Sequence, residues 1–142
     1  MSLLSKLLGR HESDPYAQGL ALYEEGRFAE AAARLREAAQ RQRRSAAGSL
    51  AAFYQRQALV AEGRRLLQAG APADAVPFLA EAVAAWETFP DLHFLLGLAQ
   101  GLSGAWDEAL QSSARALRRN ADYVEARLLE AAALAELGRR RE

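Results

Sequence analysis

An all-α fold of repeated helical hairpins is what this sequence predicts, on three observations. Turn-type glycines recur at Gly70, Gly104 and Gly138, two successive intervals of 34 residues, and a fixed period of that size marks helical repeat architectures. Small residues recur at fixed offsets from those turns. Gly19, Gly63 and Gly97 lie seven residues before Gly26, Gly70 and Gly104, with Ala131 in the same place before Gly138. Ala31, Ala75 and Ala109 lie five residues after the turns, and Ala38, Ala82 and Ala116 twelve after. Such residues allow two helices of a hairpin to approach closely. Finally, alanine is abundant and no run of β-branched residues occurs, which favours helix over strand.

The 142 residues are enough for one domain with a real core. Hydrophobic residues make up 51% and charged residues 25%, ordinary for a soluble globular chain. The net charge of +0 removes the general electrostatic argument for nucleic acid. No cysteine is present, which excludes disulfides, thiolate metal sites and a cysteine nucleophile. No stretch approaches the length of a transmembrane helix. The first residues lack the continuous apolar core of a secretory signal. The expected location is cytoplasmic.

Leu3, Leu4, Leu7 and Leu8 form one stripe of a short amphipathic segment over residues 1–12. It either packs on the first hairpin or frays in solvent, or else serves as a weak peripheral membrane or partner contact, with Lys6 and Arg10 its only cations. Asp14-Pro15 is a helix start, with Asp as N-cap and Pro at the first helical position. That helix is expected to reach about Glu25, before Gly26. A second runs from Phe28 to about Arg43, completing a hairpin over 14–44. Ser45 is a natural N-cap for a long helix ending near Ala69. A further helix is expected from Ala73 to Thr88, with Pro77 in its first turn, so the second hairpin spans 46–88. The third spans 90–120, apolar on nearly every face up to Leu102, and then Trp106–Arg119 with Asn120 as C-cap. A closing helix is expected over 122–137, with Leu129 and Leu137 partly open, followed by a fraying tail at 139–142.

The interval from Gly26 to Gly70 is 44 residues, ten more than the repeat. The surplus is placed in the first helix of the second hairpin, around Ser45–Tyr54, as about two extra turns. The alternative is a break at Gly48-Ser49. Phe53 and Tyr54 on that extension either pack on the first hairpin or form a second contact surface.

Leu96-Gly97, Gly104, Trp106, Ala109 and Ala116, together with Gly19, Gly26, Phe28, Ala31, Leu35 and Ala38, resemble the tetratricopeptide repeat (TPR) family over roughly residues 14–138. The resemblance implies a right-handed superhelical solenoid of about three hairpins plus a C-terminal helix, used for protein–protein interaction. This chain departs from the family pattern in places. His93 stands where a large aromatic is usual, Gln100 where Tyr is frequent, and Ser113 where Phe or Leu is. Pro72 replaces the aromatic after the second turn. The closing proline is missing after the first and third hairpins.

In such solenoids the first helix of each hairpin lines a concave groove. Counting one to two residues from the glycine seam gives Tyr16, Leu20 and Tyr23, then Val60, Arg64 and Leu67, then Phe94, Leu98 and Leu102, and finally Leu128 and Ala132. An apolar helical or extended peptide is the expected ligand, with Arg64 reading a carboxylate or carbonyl. The family's clamp for a C-terminal carboxylate is disfavoured, because Tyr16, Val60 and Phe94 occupy its Lys positions and Leu20, Arg64 and Leu98 its Asn positions. The alternative is self-assembly through the groove or the C-terminal helix edge.

Catalytic chemistry is not indicated. His11 and His93 lack the i, i+4 pairing of a helical metal site. No serine elbow and no glycine-rich phosphate loop occurs. No enzyme activity, cofactor or metal is expected. Nucleic-acid binding through Arg41, Arg43, Arg44, Arg118 and Arg119 is not expected either. Those cations sit at helix C-termini, where they complement the helix dipole.

Overall fold

A computed structural model describes residues 14–141. The amphipathic Leu3, Leu4, Leu7 and Leu8 stripe and His11 lie outside the described residues. Seven helices account for the described chain: α1 (Pro15–Glu24), α2 (Phe28–Arg41), α3 (Ala46–Gln68), α4 (Pro72–Ala85), α5 (Pro90–Leu102), α6 (Trp106–Arg119) and α7 (Val124–Arg141). No strand occurs among the described residues. The chain divides into two compact units, with the boundary between Ala61 and Glu62, inside α3.

In the first unit, α1 begins as its sequence dictates. Asp14 accepts from the Tyr16 N–H at 3.3 Å, and Pro15 takes the first helical position. Gly26, at φ 75°, makes the turn. Few residues other than glycine adopt that left-handed conformation readily. Then α2 packs back on α1, burying Ala31, Ala32, Leu35 and Ala38. The contact is tight at Gly19, where a Cβ would lie 2.6 Å from Leu35 Cγ.

The surplus residues lengthen a helix without breaking it. Helix α3 has 23 residues against 13 in α5, a difference equal to the ten-residue surplus. Ser45 caps it, its Oγ accepting from the Gly48 N–H at 3.1 Å. The expected alternative of a break at Gly48-Ser49 is not what forms. Gly48 is there for space, because a Cβ would fall 2.0 Å from the Gln42 carbonyl oxygen. Tyr54 packs on the first hairpin, its ring 6.2 Å from Tyr23, while the neighbouring Phe53 stays exposed.

In the second unit α4, α5, α6 and α7 each pack on the next, and α7 also touches α5. Gly70 and Gly104 turn the chain at φ 74° and 89°. A Cβ on Gly63 would lie 2.6 Å from Leu79 Cγ and Cδ2, repeating the Gly19–Leu35 contact. Gly97 differs. Its nearest neighbours are Leu129 Cδ2, at 2.9 Å from a built Cβ, and Ser112 Cβ at 3.0 Å. The position that carries Leu35 and Leu79 in the earlier hairpins carries Ser113 here, fully buried, its hydroxyl donating to the Leu110 carbonyl at 2.9 Å. The leucine filling the seam comes instead from α7.

That substitution corrects one expectation: Leu129 is 7% exposed, not partly open, because the third hairpin needs it. A second correction concerns Gly138. It makes no turn, and α7 continues through it to Arg141 instead of ending near Leu137. The Arg140 guanidinium meanwhile donates to the Gly104 carbonyl at 3.1 Å, and Arg139 pairs with Glu136 at 2.5 Å. A third concerns Pro77. Because α4 starts at Pro72, Pro77 sits in its second turn and denies the Ala73 carbonyl its usual bond. Both residues are exposed.

Two alanine substitutions should therefore move stability in opposite directions. Gly63→Ala forces a methyl against the fully buried Leu79 and should cost about 1–3 kcal/mol. Gly138→Ala meets nothing within 4 Å and should add up to about 1 kcal/mol of helix propensity. Urea unfolding midpoints of the two variants check both signs.

Candidate functional site: an apolar cleft between α5 and α7

Helix α5 is apolar around most of its circumference, and its faces have different fates. Leu92, Leu96, Gly97 and Ala99 are buried against neighbouring helices. Phe94, Leu98 and Leu102 follow at i, i+4 and i+8, a second stripe one step around the helix. Nothing in the second unit covers it fully: Phe94 and Leu98 are half-buried and Leu102 is 60% exposed.

This stripe forms one wall of a cleft of about 330 Å³. The opposite wall is α7, through Glu125, Leu128, Leu129 and Ala132, at i, i+3, i+4 and i+7. Leu129 turns inward to Gly97, whereas Leu128 is 65% exposed. Trp106 completes the lining at the start of α6. Its indole lies over Gly101, where a Cβ would come 2.7 Å from Cζ3, so glycine at 101 is what admits the ring. At the other end, the Phe94 and Tyr123 rings are tilted against each other with centroids 5.3 Å apart.

The cleft is lined almost wholly by carbon, with Glu125 its one charged residue. Its size lies at the small end for ligand sites. An open apolar groove between two helices suits the apolar face of another helix or an extended chain. It offers no nucleophile beside a base. Among the described residues, no three His, Asp or Glu side chains come together as metal ligands.

Of the residues expected to face a groove, the structure brings Phe94, Leu98, Leu102, Leu128 and Ala132 together in this cleft. Arg64 is exposed and lies near its Tyr123 end, where its charge works to lower the Tyr123 pKa. Leu67 is half-buried and outside the lining. In the first unit, Tyr23 joins an aromatic cluster with Phe28 and Tyr54. Tyr16 and Leu20 are half-buried, and Val60, 7% exposed, belongs to the core. Sequence reasoning missed Gly101, Trp106, Glu125 and Leu129 as lining. Gly101 five residues before Trp106 was the available signal, a small residue where a large ring must lie.

Compared with known proteins, the chain matches no protein-family model and no curated protein sequence. No described helix is long and apolar enough to cross a membrane.

Burial raises the Tyr123 pKa above the usual tyrosine value, with Glu125 and Asp91 adding to the shift and Arg64 opposing it. Tyr16 is raised too, by burial and then by Tyr54 and Asp14. A phenol held protonated in the folded state contributes stability below its unfolded pKa and loses it as pH rises through the folded one. Stability should thus fall above about pH 10. Arg64→Gln should raise the Tyr123 pKa further, as read by spectrophotometric or NMR titration.

Proposed function

We propose that this chain is a TPR-like protein–protein interaction module, a scaffold or adaptor with no catalytic activity, working in the cytoplasm. Its hairpins are read as turns of a right-handed solenoid. In that solenoid the Phe94, Leu98, Leu102 and Leu128 surface belongs to the groove that holds an apolar helical or extended segment of a partner protein. The observation that carries this reading is the open apolar cleft between α5 and α7. Its walls are fixed by buried contacts at Gly97 and Gly101, and its outer leucines remain exposed. Exposed apolar patches of this kind mark interaction sites more often than chance. Supporting it are the three hairpin turns at Gly26, Gly70 and Gly104 and the repeated glycine–leucine contact.

A second reading draws on α7. Val124, Leu128 and Leu134 are all exposed on this last helix, an apolar edge that a second copy of the chain would cover. Under that reading the protein is a homo-oligomer held through its C-terminal helix.

Leu128→Glu and Leu98→Glu test the first reading. Each places a carboxylate in an apolar cleft, and each should weaken the captured partner by about tenfold or more while helical circular dichroism is retained. Pull-downs and titration against the identified partner segment measure it. Unchanged binding by both variants would sink the groove assignment. Sedimentation velocity across a concentration series separates the second reading, for which Leu134→Glu should convert oligomer to monomer.

A further inference from the structure

Among the described glycines, Gly138 alone lacks a Cβ for no reason found within the chain. Gly26, Gly70 and Gly104 turn the chain at positive φ. Gly19, Gly48, Gly63, Gly97 and Gly101 each have a neighbouring atom within 3.0 Å of where a Cβ would sit. Gly138 is helical, and a Cβ built on it meets nothing within 4 Å. Glycine inside a helix costs about 1 kcal/mol relative to alanine. This position gives up that stability for space that no described residue uses.

Gly138 is the last member of a stripe. Val124, Leu128, Ala131, Ala135 and Gly138 stand at i, i+4, i+7, i+11 and i+14 on α7, and all five are exposed. That spacing is the seam of a coiled coil. It lies on the side of α7 opposite the buried Ala126, Leu129 and Ala133. No charge falls on it, although Glu125, Arg127, Glu130, Glu136 and Arg139 stand on the same helix. Along the helix the stripe tapers from large side chains to none.

We infer that this face is covered by the same face of a second copy, with the two α7 helices antiparallel and Ala131 at the twofold axis. The inference deepens the oligomeric reading above and rests on it. A tapering face is complemented by its own reverse. The antiparallel register sets Val124 of each copy over Gly138 of the other, Leu128 against Ala135, and Ala131 against Ala131, so every layer is filled. A parallel pair would set Val124 on Val124 and Gly138 on Gly138, crowded at one end and empty at the other. The flanking charges agree. Glu125 and Arg139 lie on one side of the stripe at opposite ends of α7, so the antiparallel register brings each Glu125 to Arg139 of the other copy. Glu125 makes no ion pair among the described residues. Arg139 is exposed beside Glu136, with guanidinium donors to spare. On the other flank the exposed Leu134 meets the aliphatic stem of Arg127, whose guanidinium donates to the Ala121 carbonyl at 2.6 Å.

The full chain contains no cysteine, so introduced thiols report the register. Ala131→Cys should cross-link copy to copy under mild oxidation. Val124→Cys alone should not, because in this register the two equivalent positions lie about 21 Å apart along the helix axis. Mixed with Gly138→Cys chains, it should. Sedimentation velocity should show a concentration-dependent dimer. Ala131→Glu should weaken it about tenfold or more and keep its helical circular dichroism, since Ala131 is exposed. Glu125→Arg should weaken it about fivefold, and adding Arg139→Glu should restore it. A dimer in which Val124→Cys cross-links to itself, or in which Ala131→Glu changes nothing, overturns the antiparallel pairing and leaves the oligomeric reading standing. A monomer at every concentration overturns both and gives the face to a different protein.

Discussion

The described hairpins depend on a glycine of one helix accepting a branched side chain from another. Gly19 receives Leu35, and Gly63 receives Leu79, with almost the same geometry. Both leucines are fully buried. A helix pair can come this close only where one backbone carries no Cβ, and the leucine fills the space that a Cβ would otherwise take. The turn glycines set where each hairpin reverses, and the seam glycines set how tightly it closes.

The third hairpin keeps the glycine but not the leucine, and much follows from that. With Ser113 in the leucine's place, Leu129 of α7 supplies the apolar contact at Gly97. The last helix is therefore bound into the core by Ala126, Leu129 and Ala133. Its position fixes one wall of the apolar cleft, because Leu128 and Ala132 flank the inward Leu129 along α7. On the facing helix, one residue separates two environments. Phe94 opens to the apolar cleft, and His93 to the arginine-lined pocket. The seam there also carries a polar contact, with Ser112 Oγ donating to Gln100 Oε1 at 2.7 Å.

Local and periodic features were legible in the sequence. The Asp14-Pro15 start, the Ser45 cap, the Trp106–Arg119 limits and the three functional turns follow from short-range chemistry, and the structure has each. The placement of the surplus in α3 followed from counting. The misreadings are where a distant residue decides. Leu129 looked half-open because nothing local announces that Gly97 lacks its usual filler. Gly138 looked like a turn because the period demanded one, yet the helix continues through it and only Gly26, Gly70 and Gly104 take a positive φ among the described glycines. Within the cleft, the stripe Phe94, Leu98 and Leu102 was legible from the helical period. Trp106 was not, because its ring direction depends on the space at Gly101. That His93 and three arginines of another helix line one pocket carries no local signal at all.

The most direct measurement of the central claim uses Trp106 as a reporter of the cleft it lines. A Trp86→Phe variant leaves Trp106 as the only tryptophan. Its fluorescence is followed while an amphipathic helical peptide with leucines at i, i+4 and i+7 is added, beside a scrambled peptide of the same composition. The account predicts a saturable change at Trp106 with the amphipathic peptide and none with the scrambled one. Binding that leaves Trp106 unchanged, or an equal response to both peptides, would contradict it.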